Sequence, residues 1–189
     1  MSTDAKTADE AKIIRLDLGC GRNKQIGFTG VDFYEPDADV KLDLFTFPWP
    51  FEDNSVDEIV SSHFIEHIPA RLRWPFFEEC WRIMKVGAPM KIVVPSWKSE
   101  RAYGDMCHEW PPVVPMSFYY LNQGWREANK LTYGQYALKC NFDHQCGPQG
   151  LHEAFANRAH EVQVFAATHY LESYVDMWAV LTKAEMKKA

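Results

Sequence analysis

The chain has 189 residues, a length that suits one domain and is short for two. Its composition, 47% hydrophobic and 24% charged, is that of a globular protein able to bury a core. The formal charge of −6 argues against a protein that mainly grips nucleic-acid backbones, because that task needs a basic face. The sequence also lacks an apolar run near the roughly 18 residues needed to span a bilayer.

Residues 1–12 are predicted to be a disordered lead-in, since they hold neither an apolar core nor a cleavage pattern. Five cysteines, an odd number, favour reduced thiols and a cytoplasmic location. Cys140, His144 and Cys146 could be metal ligands, alone or together with Cys107 and His108. Structural zinc sites usually show two tight cysteine pairs, and the sequence has none, so no metal is predicted.

Five strands are predicted before residue 96, each a short run rich in branched apolar side chains. They cover residues 13–18, 29–33, 39–44, 56–62 and 90–95. A helix is predicted between the last two, opening near Pro75 and stopped by Gly87. Strands separated by helical segments indicate α/β layering with a mostly parallel sheet.

Residues 97–150 are rich in aromatic side chains and show little periodicity. We interpret them as a cap inserted into a single domain that covers residues 13–189. A helix is predicted inside the cap at 117–129, with Ser117 as its cap residue. Beyond it we expect a short helix at 151–158 and strands at 160–168 and 176–183.

The first strand ends in Gly19-Cys20-Gly21. Glycine lacks a Cβ, so the backbone can approach a ligand closely there. In open α/β sheets ligands bind at the carboxyl ends of the strands, and Asp32, at the end of the next strand, could hold a ribose diol. Other polar residues close further strands, namely Asp43 and the pair Ser61 and Ser62.

Together these segments resemble the class I S-adenosylmethionine-dependent methyltransferases, in particular the small enzymes called methyltransferase type 11. The resemblance spans residues 14–95 and is carried by residues 16–21, 30–32, 42–44, 50–58, 61–67 and 82–87. It implies an α/β, Rossmann-like seven-stranded sheet, mostly parallel with an antiparallel last strand and helices on both faces. S-adenosylmethionine would be the cofactor.

The resemblance also implies residue roles. Asp17 and the turn Gly19, Cys20 and Gly21 would line the methionine end of the cofactor. Asp32 would hold the ribose hydroxyls, and Asp43 with Leu44 would lie at the adenine. Ser61, Ser62 and His63 would face the sulfonium and the acceptor.

One departure from the family pattern concerns the first crossover. Only eight residues separate Gly21 from Gly30, fewer than the roughly 10 to 12 of a full crossover with its helix. We therefore expect one or two helical turns or an irregular loop.

A general base is needed only if the acceptor is a hydroxyl or a protonated amine, and His63 and His108 are the candidates. His63 and His67 lie four residues apart with Glu66 between them, so they could share a helix face as a metal pair or as a base with its orienting partner. For His67 a structural role is the simpler interpretation.

The sequence thus predicts methyl transfer from S-adenosylmethionine to a small molecule, sugar or lipid precursor rather than to nucleic acid. The alternative is a Rossmann-like module that binds a nucleoside or the cofactor without turnover. A nicotinamide-dependent oxidoreductase is a weaker alternative, since that fingerprint wants a third glycine where this chain has Lys24.

Overall fold

The computed structural model describes residues 13–187, so the lead-in predicted for residues 1–12 lies outside the described part. Seven strands form one sheet in the order β3-β2-β1-β4-β5-β7-β6. Every neighbouring pair is parallel except those made by β7, which runs antiparallel to both β5 and β6. The predicted fold class, a mostly parallel sheet with an antiparallel last strand, is confirmed. The strands are β1 Arg15–Leu18, β2 Thr29–Asp32, β3 Val40–Lys41, β4 Glu58–Ser62, β5 Pro89–Pro95, β6 Phe142–Leu151 and β7 Tyr174–Lys183.

The long helix between β4 and β5 begins at Ala70, earlier than the prediction at Pro75. Pro75 lies in its second turn, where it removes a single i→i−4 hydrogen bond. The helix predicted over 117–129 is split in two, because the Asn122 side chain accepts from the Trp125 N–H and starts a new helix. The helices are α1 Ala70–Ile83, α2 Arg101–Gly104, α3 Pro115–Tyr119, α4 Gln123–Ala128, α5 Glu153–Ala156 and α6 His160–His169, with 3₁₀ turns at Ile65–His67 and Gly134–Tyr136.

The strand predicted at 160–168 is wrong, since these residues form α6. Ala166 is buried there while Val162 and Phe165 are exposed, so the large apolar residues that favoured a strand are not the ones that pack. The sixth strand is instead β6, which includes the end of the segment predicted as the cap. β6 is an edge strand, and this position tolerates Gly147 and Pro148 within it.

One face of the sheet belongs to the main hydrophobic core. Phe76, Cys80 and Ile83 of α1 are fully buried in the same cluster as Ile59 of β4 and Ile92 of β5. The alternate side chains of these strands point the other way and remain partly exposed, as the neighbouring residues Glu58 and Lys91 do. The Lys91 Nζ lies 2.6 Å from the Glu58 carboxylate. The face opposite α1 is therefore only partly covered.

The connections from β1 to β2, from β2 to β3 and from β3 to β4, all within the described residues, contain no α-helix. The first of them is a series of turns, which is one of the two forms expected for so short a crossover. Across residues 13–187, none of the helices has the length and apolar character to cross a membrane.

Candidate functional site

The glycine turn after β1 requires glycine for two different reasons. Gly19 and Gly21 both have positive φ, +70° and +46°. A Cβ on Gly19 would lie 2.3 Å from ring atoms of Phe64, so a side chain there would collide with the segment after β4. A Cβ on Gly21 would meet no described atom within 4 Å, because that position opens into a cavity.

Asp32 at the end of β2 is held by backbone amides. Its carboxylate accepts from the N–H groups of Gly21 (3.0 Å), Tyr34 (2.8 Å) and Glu35 (2.9 Å). Burial raises the pKa of Asp32, but these three bonds outweigh burial and the net pKa is lowered. A carboxylate accepts about four hydrogen bonds, so the ionised group keeps capacity for a ligand hydroxyl.

A pocket of about 680 Å³, called here the β1–β3 pocket, opens beside this carboxylate. Its size is within the range of small-molecule sites, roughly 300 to 1,000 Å³. It is lined by five residues predicted as cofactor contacts, Gly19, Gly21, Asp32, Asp43 and Leu44. The Asp43 carboxylate also accepts from the Phe45 N–H and the Thr46 hydroxyl, so it shapes the turn after β3.

Sequence reasoning missed several walls of this pocket. Phe33 and Tyr34 are 57% and 87% exposed, and both line it, as do Glu35, Phe45 and Phe64. The signal available was an aromatic pair directly after the strand-ending Asp32, which points to a ligand surface rather than to the core.

A second cavity of about 460 Å³, the glycine-turn cavity, shares Gly19 and Gly21 with the first. It is lined by the other predicted cofactor residues, Asp17, Cys20, Ser61 and Ser62, and by His63. The structure thus divides the predicted cofactor residues between two adjoining cavities.

Two polar side chains of the glycine-turn cavity also brace the turn. The buried Asp17 carboxylate accepts from the Gln25 N–H at 2.7 Å, and the buried Ser61 hydroxyl donates to the Leu18 carbonyl at 3.0 Å. Burial raises the pKa of Asp17, although the Gln25 bond opposes it. Burial, with the charges of Asp17 and Asp32, raises the pKa of Cys20 to about 11 and keeps it a thiol.

Both predicted base candidates, His63 and His108, line a third cavity of about 710 Å³, the cap cavity. His63 has a left-handed backbone, φ +53°, which is uncommon outside glycine. Its Nδ1 lies 3.4 Å from a carboxylate oxygen of Glu66, and its Nε2 lies 3.8 Å from Asp176. Glu66 raises the pKa of His63 above its usual value, although burial opposes this.

His67 lines both the β1–β3 pocket and the cap cavity. A backbone carbonyl only accepts, so the His67 Nδ1 donates to that of Cys107 at 3.1 Å. The His67 ring meets the edge of the His108 ring, with centroids 4.7 Å apart. His67 therefore stands at the boundary between the two cavities.

The segment that carries His108 is fastened to the turn after β4. The Glu109 N–H donates to the Glu66 carbonyl at 2.9 Å. Arg73 of α1 donates to the carbonyls of Ile68 (3.1 Å), Glu109 (2.9 Å) and Pro111. No sequence motif singles out Arg73, because its partners are backbone carbonyls and two of the three lie far away in the chain.

Residues 16–90 match a family model described as a methyltransferase domain. No curated protein matches the chain. A SAM-dependent methyltransferase from Archaeoglobus fulgidus is 20% identical, with 92% of this chain and 87% of that chain covered and a TM-score of 0.64.

Two further solved structures are similar. The YcgJ protein from Bacillus subtilis is 13% identical, with 93% of this chain and 94% of that chain covered and a TM-score of 0.52. A putative sarcosine dimethylglycine methyltransferase from Galdieria sulphuraria is 15% identical, with coverage of 93% and 79% and a TM-score of 0.53. At these identities the likeness shows the fold. The chain thus matches a methyltransferase domain model over residues 16–90, less than half of its length, and shares its overall fold with a SAM-dependent methyltransferase of known structure.

Proposed function

We propose that this chain transfers a methyl group from S-adenosylmethionine to a small polar acceptor, such as a small metabolite, a sugar or a lipid precursor, held in the cap cavity. The observation that carries the proposal is the adjacency of two cavities. The β1–β3 pocket holds the ionised Asp32, and it shares His67 with a cap cavity of small-molecule size. The net charge of −6 disfavours a nucleic-acid acceptor.

Features of the β1–β3 pocket support cofactor binding there. Gly21 leaves open space where a side chain would intrude, and Asp32 keeps capacity for hydrogen bonds from a ribose. We assign the ribose hydroxyls to Asp32 and the adenine to Asp43 and Leu44. We assign the methionine end of the cofactor to Asp17, Gly19, Cys20 and Gly21, and the sulfonium to the neighbourhood of Ser61 and Ser62.

S-adenosylmethionine, when bound, supplies a methyl group on a positively charged sulfur. The acceptor would bond to the methyl carbon while the sulfur keeps the electron pair of the broken S–C bond. The residues of this chain have the tasks of aligning the acceptor and excluding water. The lining of the cap cavity includes Glu100, Arg101 and Asp105, so charges of both signs face the acceptor. A polar acceptor is therefore favoured over an apolar one.

Proton removal, where the acceptor is a hydroxyl or an ammonium group, falls to His63 or His108. Because Glu66 raises the pKa of His63, the basic form of this histidine becomes populated at a higher pH than that of an ordinary histidine. If His63→Ala and His108→Ala both leave turnover unchanged, neither histidine is the base.

A cytoplasmic location is part of this proposal. All five cysteines lie within the described residues and are free thiols, which supports a reducing compartment.

The test begins with calorimetric titration of S-adenosylmethionine, S-adenosylhomocysteine and NAD. We expect micromolar binding of the two sulfur ligands, lost in Asp32→Ala and retained in Asp37→Ala, an exposed carboxylate on the same loop. Acceptor-dependent formation of S-adenosylhomocysteine is then measured with panels of small hydroxyl, amine and carboxylate compounds and with RNA. Turnover with RNA alone would overturn the proposed acceptor class.

A further inference from the structure

We propose that Glu66, His67 and His108 form a binding site for a divalent transition-metal ion, for which Zn²⁺ has the fitting chemistry. One ligand atom from each side chain lies within 4.8 Å of those of the other two. All three residues line the cap cavity, and His67 also lines the β1–β3 pocket. The metal site rests on its own geometry; only its role toward the acceptor rests on the proposed function.

The Glu66 carboxylate is the first observation that points to a cation. Its side chain is 6% exposed, and among the described residues neither of its oxygens has a hydrogen-bond partner. The nearest ionisable nitrogen, His63 Nδ1, lies 3.4 Å from one of these oxygens, so His63 forms an ion pair with Glu66 that leaves the other oxygen for a cation. A buried carboxylate with two unsatisfied oxygens is costly, and a bound cation would satisfy it.

The two imidazole rings provide the second observation. The His67 Nδ1 donates to the Cys107 carbonyl at 3.1 Å, and the His108 Nδ1 faces the Ala102 carbonyl at 3.4 Å. Because a carbonyl oxygen only accepts, the His67 ring carries its hydrogen on Nδ1 and keeps the lone pair of Nε2. The His108 Nε2 lies 3.7 Å from the Asp105 carboxylate, a contact that a metal ion would replace. Metal-binding histidines are typically oriented by such a hydrogen bond from the nitrogen that does not bind the metal.

The framework under the site is well fastened. The Glu109 N–H bond to the Glu66 carbonyl joins the two segments that supply the ligands, and Arg73 donates to the carbonyl of Glu109. Arg73 is also the competing explanation for Glu66, since its guanidinium lies close enough for the Glu66 charge to act on it. Its hydrogen bonds, however, go to backbone carbonyls, and the Glu66 oxygens make no hydrogen bond; the nearest basic group to them is the His63 ring.

Two imidazoles and one carboxylate are the donor set of many zinc sites that keep an open coordination position. Zn–N and Zn–O bonds of about 2.0 to 2.1 Å place tetrahedral ligand atoms about 3.3 Å apart, so binding draws the three side chains closer by roughly 1.5 Å. The open position would face the cap cavity, where it would bind an oxygen of the acceptor. This deepens the proposed function by favouring acceptors with a hydroxyl, carboxylate or phosphate oxygen, and it leaves His63 as the candidate base because His108 would be a metal ligand.

The experiment is calorimetric titration of chelator-treated, full-length protein with Zn²⁺, followed by the visible spectrum of the Co²⁺ form. We expect one ion per chain and a Co²⁺ spectrum typical of low coordination number. Glu66→Gln, His67→Ala and His108→Ala should each weaken binding at least tenfold. His160→Ala, which removes an exposed histidine of α6, is the matched control and should bind as the parent does.

Two further variants and one ligand sharpen the result. Cys107 is exposed beside the site but is not a proposed ligand, so Cys107→Ser should retain Zn²⁺ binding. Loss of Zn²⁺ binding in this variant would overturn the proposed ligand set. His108→Asn serves where His108→Ala proves unfolded by circular dichroism. Substoichiometric binding, or binding unchanged in the folded Glu66→Gln and His108 variants, would overturn the site.

S-adenosylhomocysteine is titrated in parallel. If the protein binds S-adenosylhomocysteine but not Zn²⁺, only the metal site is rejected. If it binds Zn²⁺ but not S-adenosylhomocysteine, the metal site is supported and the proposed function is rejected.

Discussion

The backbone N–H of Glu109 donates to the carbonyl oxygen of Glu66 at 2.9 Å, which joins the turn after β4 to a segment far along the chain. Arg73 lies beneath this contact and donates to carbonyls on both sides of it. The wall of the cap cavity that carries His108 is therefore fixed to the same turn that carries His63.

Arg73→Ala should loosen this attachment without unfolding α1. It removes hydrogen bonds from a charged donor to three carbonyls, so we expect the free energy of unfolding to fall by about 1.5 to 3 kcal/mol. Hydrogen exchange of the Glu109 amide should speed up as well. Arg71→Ala, an exposed change on the same helix, is the control. Unchanged exchange at Glu109 would show that Arg73 does not hold the segment.

The two glycines of the β1 turn should respond differently to alanine. At both, the left-handed backbone costs about 1 to 2 kcal/mol. Gly19→Ala adds a collision with Phe64, about 1 to 3 kcal/mol more, whereas Gly21→Ala has open space. Urea unfolding should therefore rank Gly19→Ala as the less stable. Gly21→Ala should fold but bind S-adenosylhomocysteine more weakly, and equal stabilities would contradict the contact seen at Phe64.

Asp17→Asn should stabilise the free protein at neutral pH. Burial raises the pKa of Asp17, so the folded state binds this proton more tightly than the unfolded chain does. Stability from this group is then lost as the pH rises through the folded pKa and regained as it falls. The asparagine oxygen can still accept from Gln25, so only the charge is removed.

The pH dependence supplies the check. The gain in Tm of Asp17→Asn over the parent should be full at pH 7 and shrink as the pH is lowered toward the carboxylate range. Asp37→Asn, on an exposed loop, should change little at any pH. A lower Tm for Asp17→Asn at pH 7 would show that its charge contributes more through the Gln25 bond than burial costs.

Cys107 should be the first thiol to react with iodoacetamide. It is exposed, whereas burial raises the pKa of Cys20 to about 11 and that of Cys140 to about 12. At pH 7.5 the thiolate fraction of Cys20 is then below about 0.1%. Cys107 also lines the β1–β3 pocket, so S-adenosylhomocysteine should slow its labelling several-fold. Peptide mapping measures the rate of Cys107 labelling, with urea-unfolded protein as the control. A rate that S-adenosylhomocysteine leaves unchanged would argue for a different binding site.

The strands around the glycine turn could be predicted from the sequence because each apolar run ends at a glycine or at a polar side chain. Leu16 and Leu18 are buried on either side of Asp17, and Val31 precedes Asp32. Such local patterns identify a parallel strand and the polar residue at its carboxyl end. The assignment of these residues to a cofactor remains a prediction.

The far half of the sheet was harder to predict. β6 contains Gly147 and Pro148, which normally argue against a strand, and only its pairing with β7 at the sheet edge makes it one. In α6, Val162 and Val164 favour a strand by propensity, yet both are exposed and the residue that packs is Ala166. Both outcomes depend on tertiary contacts that a local pattern does not contain.

The position of β7 has a consequence for how the protein is made. β7 lies between β5 and β6, yet it follows every other strand in the chain. While the chain emerges from the ribosome, the apolar β5, Pro89–Pro95, therefore has no partner on one edge until Lys183 has been synthesised. Unpaired apolar edges invite association with other chains. Biosynthesis, rather than the finished fold, is thus the stage at which this edge of the sheet is most open to association with other chains.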